Sequence, residues 1–427
     1  MKRIQSKLSL FFACGLIGSA AAISLPNTPK QPSNYVAHEW GTFTSVQGSD
    51  GVLLDWRPLE TSRLPKFVYD WTRPGPGRQG AGFLPKGGLV ALQRMETPVI
   101  YFYSKEQQNV EVSVQFPQGL ITEWYPQASQ VGPSSNRGIR SGSAHWGNIE
   151  ILPEKQNHDL AGALPFDSSG SHYFAARETD SDYLRSKFSG QTNHCWEEEK
   201  FIFYRGVGNF GSPLRVTLST GDAAVLENTG DQTIENLFVL QMKDRKGKFF
   251  HVASLVPGEP SNIILNSKAS MSALETVSSQ LGAQMCRALV QAGLYQREAA
   301  AMVKTWADSW FQEDGVRVLY LLPRAWTDRT LPLSLQPSPR ELVRIMVGRT
   351  EVIMPEVQQN LANALSKANQ GDSQAREEAL AQFRRLGRFG EPALRLATKG
   401  ARPELNKVGW MLLEAASSKS PNLATVF

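Results

Sequence analysis

The chain has 427 residues, of which 41% are hydrophobic and 20% charged, with 35 Gly and 25 Pro. That length accommodates two or three regions with cores of their own, and the Gly/Pro content suits a turn-rich, strand-rich body rather than a helical bundle. The formal charge of +5 becomes +2 once the three cations of the leader described next are removed, which gives no support to nucleic-acid binding, and no nucleic-acid partner is expected.

Residues 1–22 read as a secretory signal. Lys2, Arg3 and Lys7 form the basic start, Leu8 to Ala22 is apolar or small, and Ala20-Ala21-Ala22 offers a cleavage site. The apolar run is short for a bilayer span and ends in small residues. No later stretch is apolar enough to cross a membrane, so the expectation is an exported protein, periplasmic or extracellular. Residues 23–35, rich in Pro, Asn, Gln and Ser, read as a flexible tether.

Residues 36–268 read as a β-rich, antiparallel sandwich-like body. The first stretch is Val36-Ala37-His38-Glu39-Trp40-Gly41-Thr42-Phe43-Thr44-Ser45, followed by a Gly/Asp turn and a partner strand at 52–56. Residues 73–88 are a Gly/Pro loop without the Gly-Lys-Ser/Thr ending of a phosphate cradle. Met95 to Tyr103 and Val110 to Phe116 are strands. The second alternates, with Val110, Val112, Val114 and Phe116 on one face. Strands are also expected at 119–126, 148–152, 172–180, 200–206, 214–218, 223–227, 237–242 and 249–255, with the short spacing of a sandwich.

Residues 269–365 read as a helical region with one or two strands. Leu274, Val277, Leu281, Met285 and Leu289 fall on one helical face, and Met302, Val303, Trp306 and Trp310 mark a second helix, with the Trp pair as core. Val316 to Leu322 is a strand. Ser338-Pro339-Arg340-Glu341 has the form of a capping box that opens a helix, and another helix starts near Pro355. In residues 366–427, Arg385 to Leu394 resembles the stretch between the helices of a HEAT-type repeat. One repeat-sized unit does not stand alone, so this tail is expected to pack on the preceding helices.

The chemistry-bearing candidates are polar residues set among aromatics. His38, Glu39, Glu96, Glu123, Arg177 and Glu178 form a candidate catalytic set. A carboxylate beside Trp or Tyr is partly desolvated and suits acid work, and a solvated one stays a base. His38 and His145 are candidate ligands for a divalent metal. Trp40, Trp124, Asp180 and Arg205 are candidate substrate contacts, Arg205 by a bidentate clamp on an anionic group. Each group serves equally well as the outward or ion-paired residue of an ordinary sheet. Position 42 is Thr, so His38-Glu39 does not open an H-E-x-x-H site. Gly206 to Gly211 has the G-x-G-x-x-G spacing, but a strand rather than a helix follows. Cys195 and Cys286 form a candidate disulfide in an oxidising compartment, with two free thiols as the alternative.

His38 to Thr44, Met95 to Tyr103 and Phe203 to Gly208 together resemble a family of exported bacterial proteins with no assigned activity. The resemblance spans the chain to about residue 355 and implies one assembly, with no cofactor or catalytic residue to carry over. Three function classes follow: a hydrolase using the His/Glu/Arg cluster with a divalent metal, a non-catalytic binder of a small molecule, sugar or peptide, and an envelope scaffold with a protein partner on the C-terminal helices.

Overall fold

In the computed structural model, residues 34–59, 64–75, 88–133, 138–187, 196–218, 223–265 and 271–418 are described. The leader, most of the tether, much of the Gly/Pro loop and Cys195 lie outside them. The molecule is arranged about β1 (Tyr35–Gln47), all 13 residues of which are buried. The chain then forms β2 (Tyr69–Asp70), β3 (Gln93–Ser104), β4 (Gln108–Phe116), β5 (Gly119–Tyr125), β6 (Gln130–Gly132), β7 (Gly142–Leu152), β8 (Tyr183–Lys187) and β9 (Trp196–Glu199). Next come β10 (Ile202–Gly208), β11 (Leu214–Leu218), β12 (Ala223–Asn228), β13 (Ile234–Lys243), β14 (Lys246–Leu255), β15 (Ser261–Ile264) and β16 (Ser272–Ala273). Helices α1 (Leu274–Gln291) and α2 (Gln296–Ala307) precede β17 (Gly315–Leu321), α3 (Arg324–Thr330), β18 (Leu333–Gln336) and β19 (Glu341–Val352). The tail is α4 (Pro355–Asn369), α5 (Ser373–Leu386), α6 (Gly390–Ala397) and α7 (Pro403–Ser418).

The body is β-rich, as expected, and layered. A ten-stranded sheet runs β16-β14-β13-β17-β19-β1-β3-β10-β5-β2. One face packs on a six-stranded sheet (β18-β4-β7-β8-β9, with β6 on β7) and a three-stranded one (β11-β12-β15). Val110, Val112, Val114 and Phe116 enter this core on the expected alternation, as do Trp124, Trp146 and Tyr204. The other face is covered by α1 and α2, whose Leu274, Val277, Leu281, Met285, Leu289, Met302 and Trp306, with Trp310 of the π-helical turn Asp308–Gln312 that follows, pack on Trp40, Val99, Tyr101, Phe203, Leu319 and Val347. With both faces covered, the central strands read as nearly continuous apolar runs. Gly41 lies where β1 slips register against β3, and a Cβ there would lie 2.9 Å from Pro98 Cα. Only Gly lets the two backbones approach so closely.

Several expectations need correction. The Ser338 box opens β19, not a helix; Val343, Ile345 and Val347 are β-branched, and the segment fills the slot between β1 and β17. β1 and β19 run parallel, the exception in an otherwise antiparallel set of pairings. Residues 172–177 form a 3-10 turn rather than a strand, capped by the Ser171 hydroxyl accepting from Tyr173 N–H. Residues 52–56 make isolated bridges at Leu53 and Trp56 and no strand. The tail helices pack on the preceding helix α4 through Leu361, Ala364 and Leu365, as expected, and their shared core also takes in Val46, Trp56 and Ile353 of the body. No described helix is long and apolar enough to cross a membrane.

Candidate functional site

Because successive strand residues point to opposite faces, His38 and Glu39 part company. Glu39 faces the sheet-on-sheet core. There its carboxylate accepts from the Tyr204 hydroxyl and, at 2.5 Å, from Arg344 Nε. Arg344 also donates to Asp328 at 2.8 Å and to the Leu331 carbonyl at 2.6 Å. His38 faces α2. Its Nδ1 lies 2.7 Å from Glu298, a carboxylate that also accepts from the Tyr103 hydroxyl at 2.7 Å and Tyr295 N–H at 2.8 Å. With Glu298 accepting, Nδ1 carries the proton, and Nε2 is buried without a hydrogen-bond partner among the described residues.

The other candidates disperse in the same way. Arg177 is clamped by Glu199 at 2.9 and 2.6 Å and stacked near the Phe67, Tyr173 and Phe174 rings. Glu178 and Asp180 sit on the exposed surface, paired with Lys304 and Arg297. His145 lies in the six-stranded sheet, 2.7 Å from Ser113 Oγ, so His38 and His145 do not share a metal. No group of three His, Cys, Asp or Glu that could hold a metal ion occurs among the described residues. Trp40 and Trp124 are wholly buried, the first in the helix-side core and the second against Trp71, and neither offers a face to a substrate. Cys286 is a free thiol, raised in pKa by burial, so the expected disulfide is not made from its side.

What the fold does bring together is a charged row that local sequence does not reveal. It crosses the helix-covered face at one end of the ten-stranded sheet. Arg349 of β19 is in register with Thr44 of β1, and Thr44 with Arg94 of β3. Thr42 pairs with Glu96 in the next row but one. Adjacent strands are about 4.8 Å apart, so two guanidinium groups flank one threonine. Beside them, Arg317 is paired with Glu351 at 3.0 Å, and Arg205 with Glu123 in a bidentate clamp at 2.8 Å. Arg349 Nη2 reaches Glu313 at 2.5 Å and Glu351 at 3.0 Å. Arg388, from the turn between α5 and α6, donates to Glu96 at 3.1 Å and lies 3.5 Å from Glu313.

These charges set one another's protonation. Burial alone would raise Glu96, but Arg94, Arg388 and Arg349 hold it at about 2. Burial likewise opposes ionisation of Glu313, and Arg388, Arg349 and Arg317 hold it at about 2. Burial lowers Arg94 to about 10, still a cation at neutral pH. Burial, with Arg205, Arg94 and Arg388 nearby and only Glu96 opposing, holds His172 at about 4, so its imidazole is neutral.

The row has five guanidinium groups (Arg94, Arg205, Arg317, Arg349, Arg388) and four carboxylates (Glu96, Glu123, Glu313, Glu351), an excess of one positive charge. It also has an excess of donors. Arg349 Nε and Nη1, Arg388 Nε and Nη2, Arg94 Nε and the hydroxyls of Thr42 and Thr44 are buried without a hydrogen-bond partner among the described residues. Arg94 Nε sits 3.3 Å from Glu96 as an ion pair only. Buried polar groups are almost always satisfied, so a concentration of unsatisfied N–H groups at a cationic locus has the chemistry of an anion site. Solvent reaches it at Glu313 and Arg388, whose side chains are 25% and 13% exposed. Arg205, Glu96 and Glu123 were visible as sequence candidates. Arg94 offered a signal by lying two residues before Glu96, on its face of the strand. Arg317 and Arg349 offered one as cations inside apolar strands. Glu298, Arg344 and Arg388 meet their partners from about 290 to 305 residues away or, for Glu298, 260, and carried none.

No protein-family model and no curated protein matches the sequence. Among solved structures, the yeast delta-COP-I mu-homology domain complexed with a Dsl1 WxWxV peptide is similar at 5% identity and a TM-score of 0.28, over 76% of this chain and 99% of that one. A likeness of that size carries no argument about function.

Proposed function

We propose that the protein is an exported, non-catalytic binding protein whose ligand is a small molecule presenting an anionic group, a carboxylate, phosphate or sulfate, to Arg94, Arg349 and Arg388. One observation carries this reading: buried Arg94 and Arg349 flank Thr44, half-buried Arg388 joins them through Glu96 and Glu313, and all three retain N–H donors without a hydrogen-bond partner among the described residues. Export is supported by the leader-like residues 1–22. Charge-assisted hydrogen bonds to a guanidinium contribute about 1.5–3 kcal/mol each when buried. Two or three of them sum to about 3–9 kcal/mol, which spans millimolar to micromolar retention of a small anion. The hydrolase reading has less support. Its six candidate residues do not converge: His38, Glu96 and Glu123 lie on the helix-covered face of the sheet, Glu39 on the other, Arg177 on a 3-10 turn and Glu178 on the surface, and each already has a protein partner.

Isothermal titration with sulfate, inorganic phosphate and benzoate at constant ionic strength tests the proposal. The expected result is saturable binding of at least one, weakened about 100-fold or more in Arg349→Gln by loss of two donors at about 1.5 kcal/mol or more each. Absence of saturable binding for all three, or equal affinity in the variant, overturns it.

A further inference from the structure

Two of the three cations at the site belong to the sheet, and the third belongs to the C-terminal helices. We infer that the tail completes the site: Arg388 is a ligand-contacting residue, and occupancy by an anion locks the tail onto the end of the sheet. This rests on the anion-site reading above.

The junction is built in a way that requires it. Gly387, at φ +51°, lets the chain turn out of α5. Arg388 then spends one nitrogen on Glu96, holds a longer ion pair to Glu313 and keeps Nη2 unpartnered. The next residue, Phe389, lies beneath two guanidinium groups, Arg388 at 4.9 Å and Arg349 at 5.3 Å. Docking the tail therefore brings a third cation to two carboxylates that are already paired, Glu96 with Arg94 and Glu313 with Arg349. It also brings Arg388 and Arg349 against one ring, where like charges repel. The contacts that offset this lie to the sides. Arg385 pairs with Asp244 and Asp314, Arg57 with Glu391 at 3.1 Å, and Trp56 packs on Phe389. An anion at Thr44 supplies the missing negative charge and accepts from Arg349 Nη1 and Arg388 Nη2 together. A ligand that contacts both sides of a junction binds the docked state more tightly, and by linkage it stabilises docking to the same degree. If the undocked state has no affinity, a ligand at 100 times its Kd lowers the opened fraction by about 100-fold.

The test is hydrogen exchange of the full chain in sulfate against chloride at equal ionic strength, with calorimetry on the same samples. The expected result is that amides of α5 and α6 become at least about 10-fold slower in sulfate while those of α1 do not. Arg388→Gln is expected to abolish that selective slowing and weaken sulfate binding about 10-fold. Arg388→Lys, which keeps the charge, should retain part of both and guards against a variant that misfolds. Sulfate binding with unchanged tail exchange overturns the inference and leaves the anion site standing. Absence of sulfate, phosphate or benzoate binding removes both.

Discussion

Glu39 was the natural catalytic carboxylate of the sequence, and the structure makes it a structural one. The substitution Glu39→Gln separates the two roles. The side chain keeps its shape but loses its charge. Arg344, 3% exposed, then retains only the Leu331 carbonyl and Asp328, whose side chain is 44% exposed and screened by water. Removing one partner of a buried ion pair leaves the other charge uncompensated, at about 3–5 kcal/mol. The amide can still accept from Tyr204 or Arg344, which puts the expected loss at the lower end, about 3 kcal/mol. Equilibrium urea unfolding followed by tryptophan fluorescence reads it directly. Because Glu39 lies on the far face from Thr44, sulfate affinity of the folded variant should stay within about twofold of the parent. A variant as stable as the parent that loses ligand binding would refute this assignment.

Acid should destabilise the protein in stages. His172 is held at about 4, below its unfolded value of about 6.5, so the unfolded chain takes up the proton first and stability falls as pH drops through that interval. Glu96 and Glu313, each held at about 2, contribute stability that is present above the unfolded value of about 4.3 and lost as pH falls toward 2. Urea midpoints at pH 7, 5.5, 4.5 and 3 should fall at each step, and a flat profile would contradict the assigned shifts. Gly41→Ala should cost about 1–3 kcal/mol by overpacking against Pro98, read by the thermal midpoint. Phe389→Ala should cost about 3–5 kcal/mol. That loss should be concentrated in exchange of the tail amides, since Phe389 belongs to the tail core.

Local patterns were legible where one physical cause dominates. The period-two run 110–116 and the helical stripe from Leu274 to Leu289 match the structure, because each buries one face against one layer. Where tertiary pairing competes with a local signal, the signal lost. Ser338-Pro339-Arg340-Glu341 has the form of a helix start, but the following residues are drawn into the gap beside β1. The side-by-side His38-Glu39 pair misled for the opposite reason, since adjacency along a strand is separation across a sheet. The charged row was only half visible. Arg205 and Glu123 stood out among aromatics, whereas Arg388 reaches Glu96 across 292 residues, a contact no window of sequence contains.

Crystals soaked in selenate and measured at the selenium edge would test the anion site most directly. The account expects one strong anomalous peak within about 4 Å of Arg349 Nη1 and Arg388 Nη2, on the helix-covered side of Thr44. A map with no peak there, with Arg349 and Arg388 paired only to Glu313, Glu351 and Glu96, would contradict it.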